Sequence, residues 1–272
     1  MKQYDRLGEV AMSQITLFET NTHKNILLED YSEGEMIPAN QHLIIHKGKG
    51  MLLDPGGHKV HTKVFAELNG LLSTKDLHYL FFSHQDPDVV AAANFWFMMT
   101  DAEGLISTLW TRFITHFGVD KVALERITSI PDEGMIVELE GQGILLIPAH
   151  FLHSSGNFQV YDPVSKILYS GDLGASIDTE YRIVNDFDSH IPYIEGFHTR
   201  YMSTNKAYRL WAKMVRQLDV EIIAPQHGAV YQGKENVNKF IDWVESLACG
   251  LDIMDNIYRI PERVQEREEA VC

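Results

Sequence analysis

Four short motifs carry acidic and imidazole side chains that could together hold a metal ion. HQDPD at 84–88 directly follows the apolar run LHYLFFS at 77–83, and AHFLHSSG at 149–156, SGDLG at 170–174 and QHG at 226–228 come later in the chain. In the first motif three metal-binding side chains alternate with other residues, so they face one way if the loop is extended. Imidazole and carboxylate groups are common ligands of iron, manganese and zinc. The motifs therefore predict a metal site assembled from separate loops.

The elements that must position these motifs follow from the apolar periodicity of the chain. Strands are expected at 15–19, 25–28, 42–46, 50–54, 77–83, 105–108, 135–139, 143–148, 158–162, 167–170 and 221–224, and helices at 59–72, 91–99, 109–117, 205–218 and 235–248. Two strand-rich halves, each closed by helices, predict two sheets packed together with helices outside. The four motifs then lie at strand ends.

The overall charge and composition exclude several classes of protein. The 272 residues carry a formal charge of -15, which opposes nucleic-acid binding because that binding depends on Lys and Arg displacing counterions. No apolar run approaches the ~18 residues of a membrane span, and the first residues do not resemble a secretory signal. Cys249 and Cys272 suggest neither a disulfide framework nor a thiolate metal site. A cytoplasmic protein without nucleic-acid or membrane partners is expected.

The order of the four motifs resembles the metallo-β-lactamase superfamily, and the resemblance runs from LLDPG at 52–56 to HG at 227–228. It implies an α/β fold, the metallo-β-lactamase αββα four-layer sandwich, as a single domain over 1–272 with two metal ions at strand ends between the sheets. Hydrolases of the superfamily usually have histidine where this chain has Asp86. A carboxylate there is similar to the flavodiiron branch, and the closest resemblance is to stand-alone oxygen-binding di-iron proteins (ODP) linked to bacterial chemotaxis.

The resemblance also implies a ligand set. Flavodiiron proteins separate the second-motif histidine and third-motif aspartate by nineteen positions, which from Asp172 indicates His153 and not His150. The first metal ion would be held by His84, Asp86 and His153, and the second by Asp88 and His227, with Asp172 bridging both. His150 is expected to pack or hydrogen-bond beside the ligands without binding metal, and Tyr201 to lie near the site.

The implied cofactor is a pair of iron ions (Fe2+/Fe3+) bridged by Asp172 and an oxo or hydroxo group, in preference to zinc or manganese. No FMN is expected in this chain, because only 45 residues follow His227 and a flavodoxin domain needs roughly a hundred. In hydrolases and some flavodiiron proteins, histidine at the position of Val89 ligates the second metal. Valine cannot, so an open coordination position is expected there, and Val89→His should hinder ligand entry.

Three functions follow from this site. The leading hypothesis is a di-iron protein that binds O2, or NO or peroxide, and reports it to a chemoreceptor or other signalling partner. The second is an O2 or NO reductase that takes electrons from an external redox partner. The third is a di-metal hydrolase of a thioester or lactone, against which Asp86 and Val89 argue. The sequence leaves open whether the protein is an enzyme and whether it forms a homodimer.

Overall fold

Alternating strands and helices build the part of the chain described by this computed structural model, residues 14–28, 31–32 and 36–260. The strands are β1 Gln14–Glu19, β2 His23–Leu28, β3 Gln41–His46, β4 Lys49–Leu53, β5 Leu77–Phe82, β6 Glu103–Ser107, β7 Ile127–Ile130, β8 Met135–Leu139, β9 Gln142–Pro148, β10 Phe158–Asp162, β11 Ile167–Gly171, β12 Ile183–Val184, β13 Ile222–Pro225 and β14 Val230–Gln232. The α-helices are α1 His61–Leu71, α2 Pro87–Val90, α3 Ala93–Met99, α4 Lys121–Leu124, α5 Phe187–Tyr201, α6 Asn205–Val215 and α7 Lys234–Ser246. Short 3-10 helices span Thr74–Asp76, Ile114–Phe117 and Gly250–Ile253.

The strands form two seven-stranded sheets, one for each half of the chain. The order is β1-β2-β3-β4-β5-β6-β7 in the first sheet and β12-β14-β13-β11-β10-β9-β8 in the second. Strands β4 to β7 run parallel, as do β11 and β13, while hairpins join β1 to β4 and β8 to β11 in antiparallel fashion. Parallel strands need crossovers, and the first sheet has three of them. They contain α1 between β4 and β5, α2 and α3 between β5 and β6, and α4 between β6 and β7.

Three apolar layers hold the four layers of secondary structure together. In β5, Leu80 and Phe82 face the cluster under α1 and α3, whereas Phe81 points into the cluster between the sheets. A third cluster packs α5, α6 and α7 on the outer face of the second sheet. Strands β10 and β11 are buried at every position because both of their faces are covered. The predicted αββα sandwich is confirmed.

The sheets bring the four sequence motifs to one edge of the sandwich. His84 lies just beyond the carboxyl end of β5, Asp172 directly follows β11, and His227 lies just beyond β13. The loop 149–157 between β9 and β10 carries His153 to the same edge. In open α/β sheets, ligands typically bind at the carboxyl ends of the strands, so the functional site is expected at this edge.

Other sequence predictions need correction or stay open. The helix predicted at 109–117 is a series of turns ending in the 3-10 helix Ile114–Phe117, and α5 and β7 were not predicted. Cys249 is buried, whereas Cys272 lies outside the described residues. Within the described ranges, no helix combines the length and the apolar character that crossing a bilayer requires.

Candidate metal centre

A cluster of two imidazoles and two carboxylates lies at the edge where the motifs meet. His84 Nε2 is 3.5 Å from Asp86 Oδ2 and 3.6 Å from Asp172 Oδ2. His153 Nε2 is 3.4 Å from the same Asp86 oxygen and 2.8 Å from the same Asp172 oxygen. One ligand atom from each of these four residues lies within 4.8 Å of all the others. The four ligand atoms thus surround one position that a single metal ion could occupy.

A second, smaller donor set lies on the other side of Asp172. His227 Nε2 is 3.3 Å from Asp172 Oδ1 and 3.5 Å from Asp88 Oδ2. Asp172 therefore presents one carboxylate oxygen to each donor set, with Oδ2 facing His84 and His153 and Oδ1 facing His227. This is the geometry that a bridging carboxylate requires. The structure brings together all six of the residues that the sequence predicted as ligands.

The contacts inside the cluster fit metal ions better than a closed hydrogen-bond network. Apart from the 2.8 Å contact between His153 and Asp172, the imidazole–carboxylate separations are 3.3–3.6 Å, longer than ordinary hydrogen bonds. Donor atoms held about 2.1 Å from one ion lie about 3.0–3.4 Å from one another. His84 Nε2 and Asp172 Oδ1 are buried and have no hydrogen-bond partner among the described residues. Buried polar atoms of this kind call for a partner such as an ion.

The charges of the cluster hold protons on its imidazoles when no metal is bound. Burial opposes protonation of His153, but its close contacts with the carboxylates of Asp172 and Asp86 outweigh burial and raise its pKa to about 10. Burial acts in the same direction on His227, where the negative charge of Asp172 raises the pKa to about 9. For Asp172, burial favours the neutral form, yet the positive charges of His84 and His227 hold its pKa well below the ordinary value. A metal ion must displace these protons to bind.

Polar neighbours fix the orientation of the predicted ligands. His227 Nδ1 donates to the Pro38 carbonyl oxygen at 2.6 Å, which leaves Nε2 as the nitrogen that faces the site. On the other side, His84 Nδ1 lies 2.9 Å from the Ser83 hydroxyl. The Ser83 backbone N–H in turn donates to Asp54 Oδ1 at 2.8 Å. Such contacts set the tautomer and ring angle of metal-binding histidines.

Two glutamines of the motifs hold carboxylates of the cluster. Gln85 Nε2 donates to Asp86 Oδ1 at 3.0 Å, and Gln226 Nε2 donates to Asp88 Oδ2 at 3.0 Å. Sequence reasoning missed both residues as site residues, together with Pro38. Each glutamine directly precedes a predicted ligand, in HQD or in QHG, and this position next to a ligand was the signal that could have identified it. Nothing in the sequence near Pro38 indicates that its carbonyl oxygen contacts His227.

Helix α5 forms a wall of the cavity that opens onto the cluster. The cavity has a volume of about 590 Å³, and Tyr193, Phe197 and Tyr201 of this helix line it. The rings of Phe197 and Tyr201 stack at 4.7 Å, and Tyr201 meets the His153 ring edge-on at 6.2 Å. Tyr201 therefore lies beside His153. The approach to the two donor sets is therefore lined by aromatic rings together with Arg200 and Asp178.

The structure places the side chains of His150 and Val89 outside the two donor sets. His150 Nε2 donates to the Asp132 carbonyl oxygen at 2.8 Å, its ring packs on Phe158, and its Nδ1 has no partner in the described part of the chain. His150 also lines a cavity other than the one that opens onto the ligands. Val89 is fully buried in the apolar cluster under α1 and α3 and does not line the cavity. Its side chain is therefore not part of the cavity wall through which a ligand would enter.

Comparisons with known proteins agree with this geometry. A family model described as ODP family beta lactamase matches residues 37–228. A solved structure of the chemotaxis sensor ODP with a peroxy diiron species is 42% identical, covers 90% of this chain and 100% of its own, and has a TM-score of 0.82. The apo state of the chemotaxis sensor ODP from T. denticola is 41% identical, with coverages of 91% and 100% and a TM-score of 0.81.

Two further proteins match at lower sequence identity. A flavo di-iron protein variant from Thermotoga maritima is 16% identical, covers 86% of this chain and 60% of its own, and has a TM-score of 0.72, which shows the fold alone. An uncharacterized protein of Methanocaldococcus jannaschii is 24% identical over 213 residues, which are 75% of this chain. The chain spans about half the length of that curated relative, 51%. The predicted resemblance and the metallo-β-lactamase fold are confirmed.

Proposed function

The chain belongs to the ODP family of β-lactamase-like proteins, and from this premise we propose that it binds O2 at a di-iron centre and acts as an oxygen sensor. A chemotaxis sensor that is 42% identical over its whole length carries a peroxy diiron species. A cluster of histidine and aspartate side chains that could hold a metal ion lies at the strand ends of this chain. The likeness in sequence and fold, together with this cluster, supports a shared function.

The proposal assigns the first iron to His84, Asp86 and His153 and the second to Asp88 and His227, with Asp172 between them. The observation that carries it is that the two oxygens of Asp172 face two different donor sets, at 2.8 Å from His153 and 3.3 Å from His227. A carboxylate that served one ion, or only a salt bridge, would not need a donor set on each side. The unpartnered His84 Nε2 and Asp172 Oδ1 support the same assignment.

Iron is the metal that the donor chemistry favours. The six donors are three imidazole nitrogens and three carboxylates. Among the described residues no thiolate belongs to the cluster, because the buried Cys249 lies outside it. Carboxylate-rich sites with imidazole suit iron or manganese, while structural zinc sites more often contain sulfur. Ferrous iron, when bound, supplies the electrons and the coordination position that O2 needs.

The protein's own side chains keep the centre accessible to a small neutral ligand. The cavity wall on α5 combines the rings of Tyr193, Phe197 and Tyr201 with Arg200, so part of the approach is aromatic, and O2 and NO are apolar molecules that enter apolar surroundings readily. Gln85 and Gln226 hold the carboxylates of Asp86 and Asp88 in place. Pre-oriented ligands of this kind bind metal with little rearrangement.

Signalling requires that the ligand favour one conformation of the protein over another. We assign this role to α5, because its Phe197 and Tyr201 rings contact the proposed ligand His153 and its outer face is open to solvent. The partner is proposed to be a chemoreceptor or a related signalling protein in the cytoplasm. Neither an attached flavin nor a nucleic acid is part of the proposal.

The experiment combines metal analysis with O2 binding. Protein reconstituted anaerobically with ferrous iron should hold about two irons per chain, and one O2 per pair should produce a visible charge-transfer band that persists without further O2 uptake. Asp172→Asn should lose at least one of the two irons. Asp178→Asn is the matched control, because Asp178 lines the same cavity but is exposed and faces neither donor set.

The other outcomes separate the alternative functions. Continuous O2 or NO consumption with an added electron donor would favour a reductase over a sensor. Two zinc ions per chain with turnover of a thioester would favour a hydrolase. Full iron binding by Asp172→Asn would contradict the bridging assignment.

A further inference from the structure

A fully buried histidine of α5, His198, joins this helix to the turn that follows Asp172. Its Nδ1 lies 2.7 Å from the Ile194 carbonyl oxygen, which can only accept, so Nδ1 carries the proton. Its Nε2 is therefore an acceptor, and the Gly174 backbone N–H donates to it at 2.9 Å. Burial lowers the pKa of His198 to about 4, which keeps the ring in the neutral form that this hydrogen bond requires. Both ring nitrogens are thus paired.

The surroundings of His198 show that packing alone does not require an imidazole there. The ring lies edge-on to Phe240 at 5.9 Å and to Trp243 at 5.5 Å. An imidazole costs more to bury among such rings than a phenyl group, unless its nitrogens are hydrogen-bonded. His190, the other buried histidine of α5, bonds Tyr181 instead of the turn, at 2.8 Å. The contact with Gly174 is therefore what distinguishes His198.

The turn after Asp172 is held from two sides of the protein. The Gly174 carbonyl oxygen accepts from the Tyr231 hydroxyl at 2.9 Å, so this residue is bonded to α5 through its N–H and to β14 through its C=O. Gly174 has a φ of +98°, which residues with a side chain rarely adopt. The Ala175 N–H in turn donates to the Asp172 carbonyl oxygen at 3.0 Å. The position of the Asp172 backbone therefore depends on the bonds that hold Gly174.

The same part of α5 also contacts the first donor set. Phe197, which directly precedes His198, lies edge-on to the His153 ring at 6.4 Å. Neighbouring residues of a helix keep a fixed spacing, so α5 joins His153 and the Asp172 turn through two adjacent side chains. A change in the separation of these two proposed ligands requires that α5 move or that one contact break.

We propose that His198 is a positioning residue with two effects. Its hydrogen bond to Gly174 sets the place of Asp172 between the two donor sets, and it transmits movement of Asp172 on O2 binding to α5. The second effect rests on the proposed function, because it needs iron and O2 at the centre. The first effect is tested without O2.

The hydrogen bond itself is tested by NMR of metal-free, ¹⁵N-labelled protein. The unmodified chain should show a scalar coupling across the bond, between the Gly174 backbone nitrogen and His198 Nε2. In His198→Phe the Gly174 amide should exchange with solvent about tenfold faster, relative to the amides of β5, because a buried N–H loses its acceptor. His190→Phe, the same substitution at the other buried histidine of α5, should leave this relative rate unchanged.

Two NMR results would overturn the bond. One is the absence of the coupling in the unmodified chain, and the other is an unchanged relative rate in folded His198→Phe. The coupling is measured on the unmodified protein, so it decides the matter even if His198→Phe does not fold.

The positioning of Asp172 is tested by anaerobic calorimetric titration with ferrous iron. His198→Phe should bind iron at least about threefold more weakly than the unmodified chain, because the shared carboxylate is less constrained. His190→Phe should keep the affinity of the unmodified chain. Unchanged iron affinity in folded His198→Phe would refute the positioning effect.

The transmission to α5 is tested by hydrogen exchange and mass spectrometry of iron-loaded protein before and after O2. In the unmodified chain and in His190→Phe, exchange of residues 187–201 should change at least about twofold when the charge-transfer band forms. In His198→Phe the band should form without this change. A band without any change in the unmodified chain, or an equal change in His198→Phe, would refute the transmission. Failure to bind iron or to form the band would overturn the proposed function, while the NMR result on metal-free protein would still decide the hydrogen bond.

Discussion

Metal binding to the metal-free protein at pH 7 should release at least two protons per chain, because the imidazoles that bind the ions must first be neutral. The pKa of His153 is raised to about 10 and that of His227 to about 9. Close contacts with the carboxylates of Asp172 and Asp86 raise the pKa of His153, and the negative charge of Asp172 raises that of His227. The same carboxylates that make the site attractive to metal therefore keep protons there until metal arrives.

The number of protons follows from these two pKa values. At pH 7 a group of pKa about 10 is about 99.9% protonated and one of pKa about 9 is about 99% protonated, so the pair releases about two protons. Histidines with the ordinary pKa of about 6.5 would each be about one quarter protonated, and the pair would release about half a proton. His84, whose pKa is also raised because Asp172 and Asp86 outweigh its burial, adds to the count.

The count is measured by isothermal titration calorimetry of ferrous iron into metal-free protein, anaerobically and in several buffers of different ionisation enthalpy. The slope of observed heat against buffer enthalpy gives the protons released. His58→Gln, a change at an exposed histidine outside the site, should leave the count unchanged. Release of less than one proton per chain by protein that binds two ions would refute the electrostatic reasoning.

Three further predictions follow from the same structure. The metal-free protein should unfold at a lower temperature as pH rises from about 6.5 toward 10. The raised pKa values of His153 and His227 stabilise the folded state fully below pH 6.5, and this stabilisation is lost as the folded protein releases those protons. Thermal scans at pH 6 and pH 10 check this, and equal unfolding midpoints would contradict it. His153→Ala should lower iron content by about one ion per chain whereas His150→Ala should not, as metal analysis of both variants would show. Trp211→Phe should lower the free energy of unfolding by about 1–3 kcal/mol, because Gln159 Oε1 loses its buried hydrogen-bond donor. Urea unfolding measures this loss, with Trp243→Phe as the control substitution.

The sheets and most strand positions could be predicted from the sequence, because buried strands leave a simple apolar pattern. The run 77–83 and the strands before Asp172 and His227 have such patterns, and the structure places strands at all three. Convergence of the six predicted ligands followed from motif order and from family resemblance, since the sequence alone does not fix which distant loops meet.

Helix α5 could not be predicted from apolar periodicity, because its buried face mixes polar and apolar residues. The buried positions are Phe187, His190, Ile194 and His198, which have helical spacing but include two histidines. Pro192 inside the helix further weakens the pattern. The readable signal was Asp186, whose side chain caps the helix by accepting from two backbone N–H groups. Missing α5 meant missing the aromatic wall of the metal cavity.

The segment 109–117 shows the opposite error, an apolar pattern of helical spacing without a helix. Its backbone makes tighter contacts from residue i to i-3, as in Phe113 N to Trp110 O at 2.8 Å. The hydroxyls of Thr111 and Thr115 donate to the carbonyl oxygens of Ser107 and Arg112. Local side-chain bonds of this kind compete with the helix, and periodicity does not register them.

Anomalous diffraction at the iron edge, from crystals reconstituted anaerobically with ferrous iron, tests the central assignment most directly. The account predicts two iron peaks about 3.5–4 Å apart. One peak should be bonded to His84 and His153, the other to His227, and the carboxylate of Asp172 should contact both. A single peak, or two irons without Asp172 between them, would contradict the account.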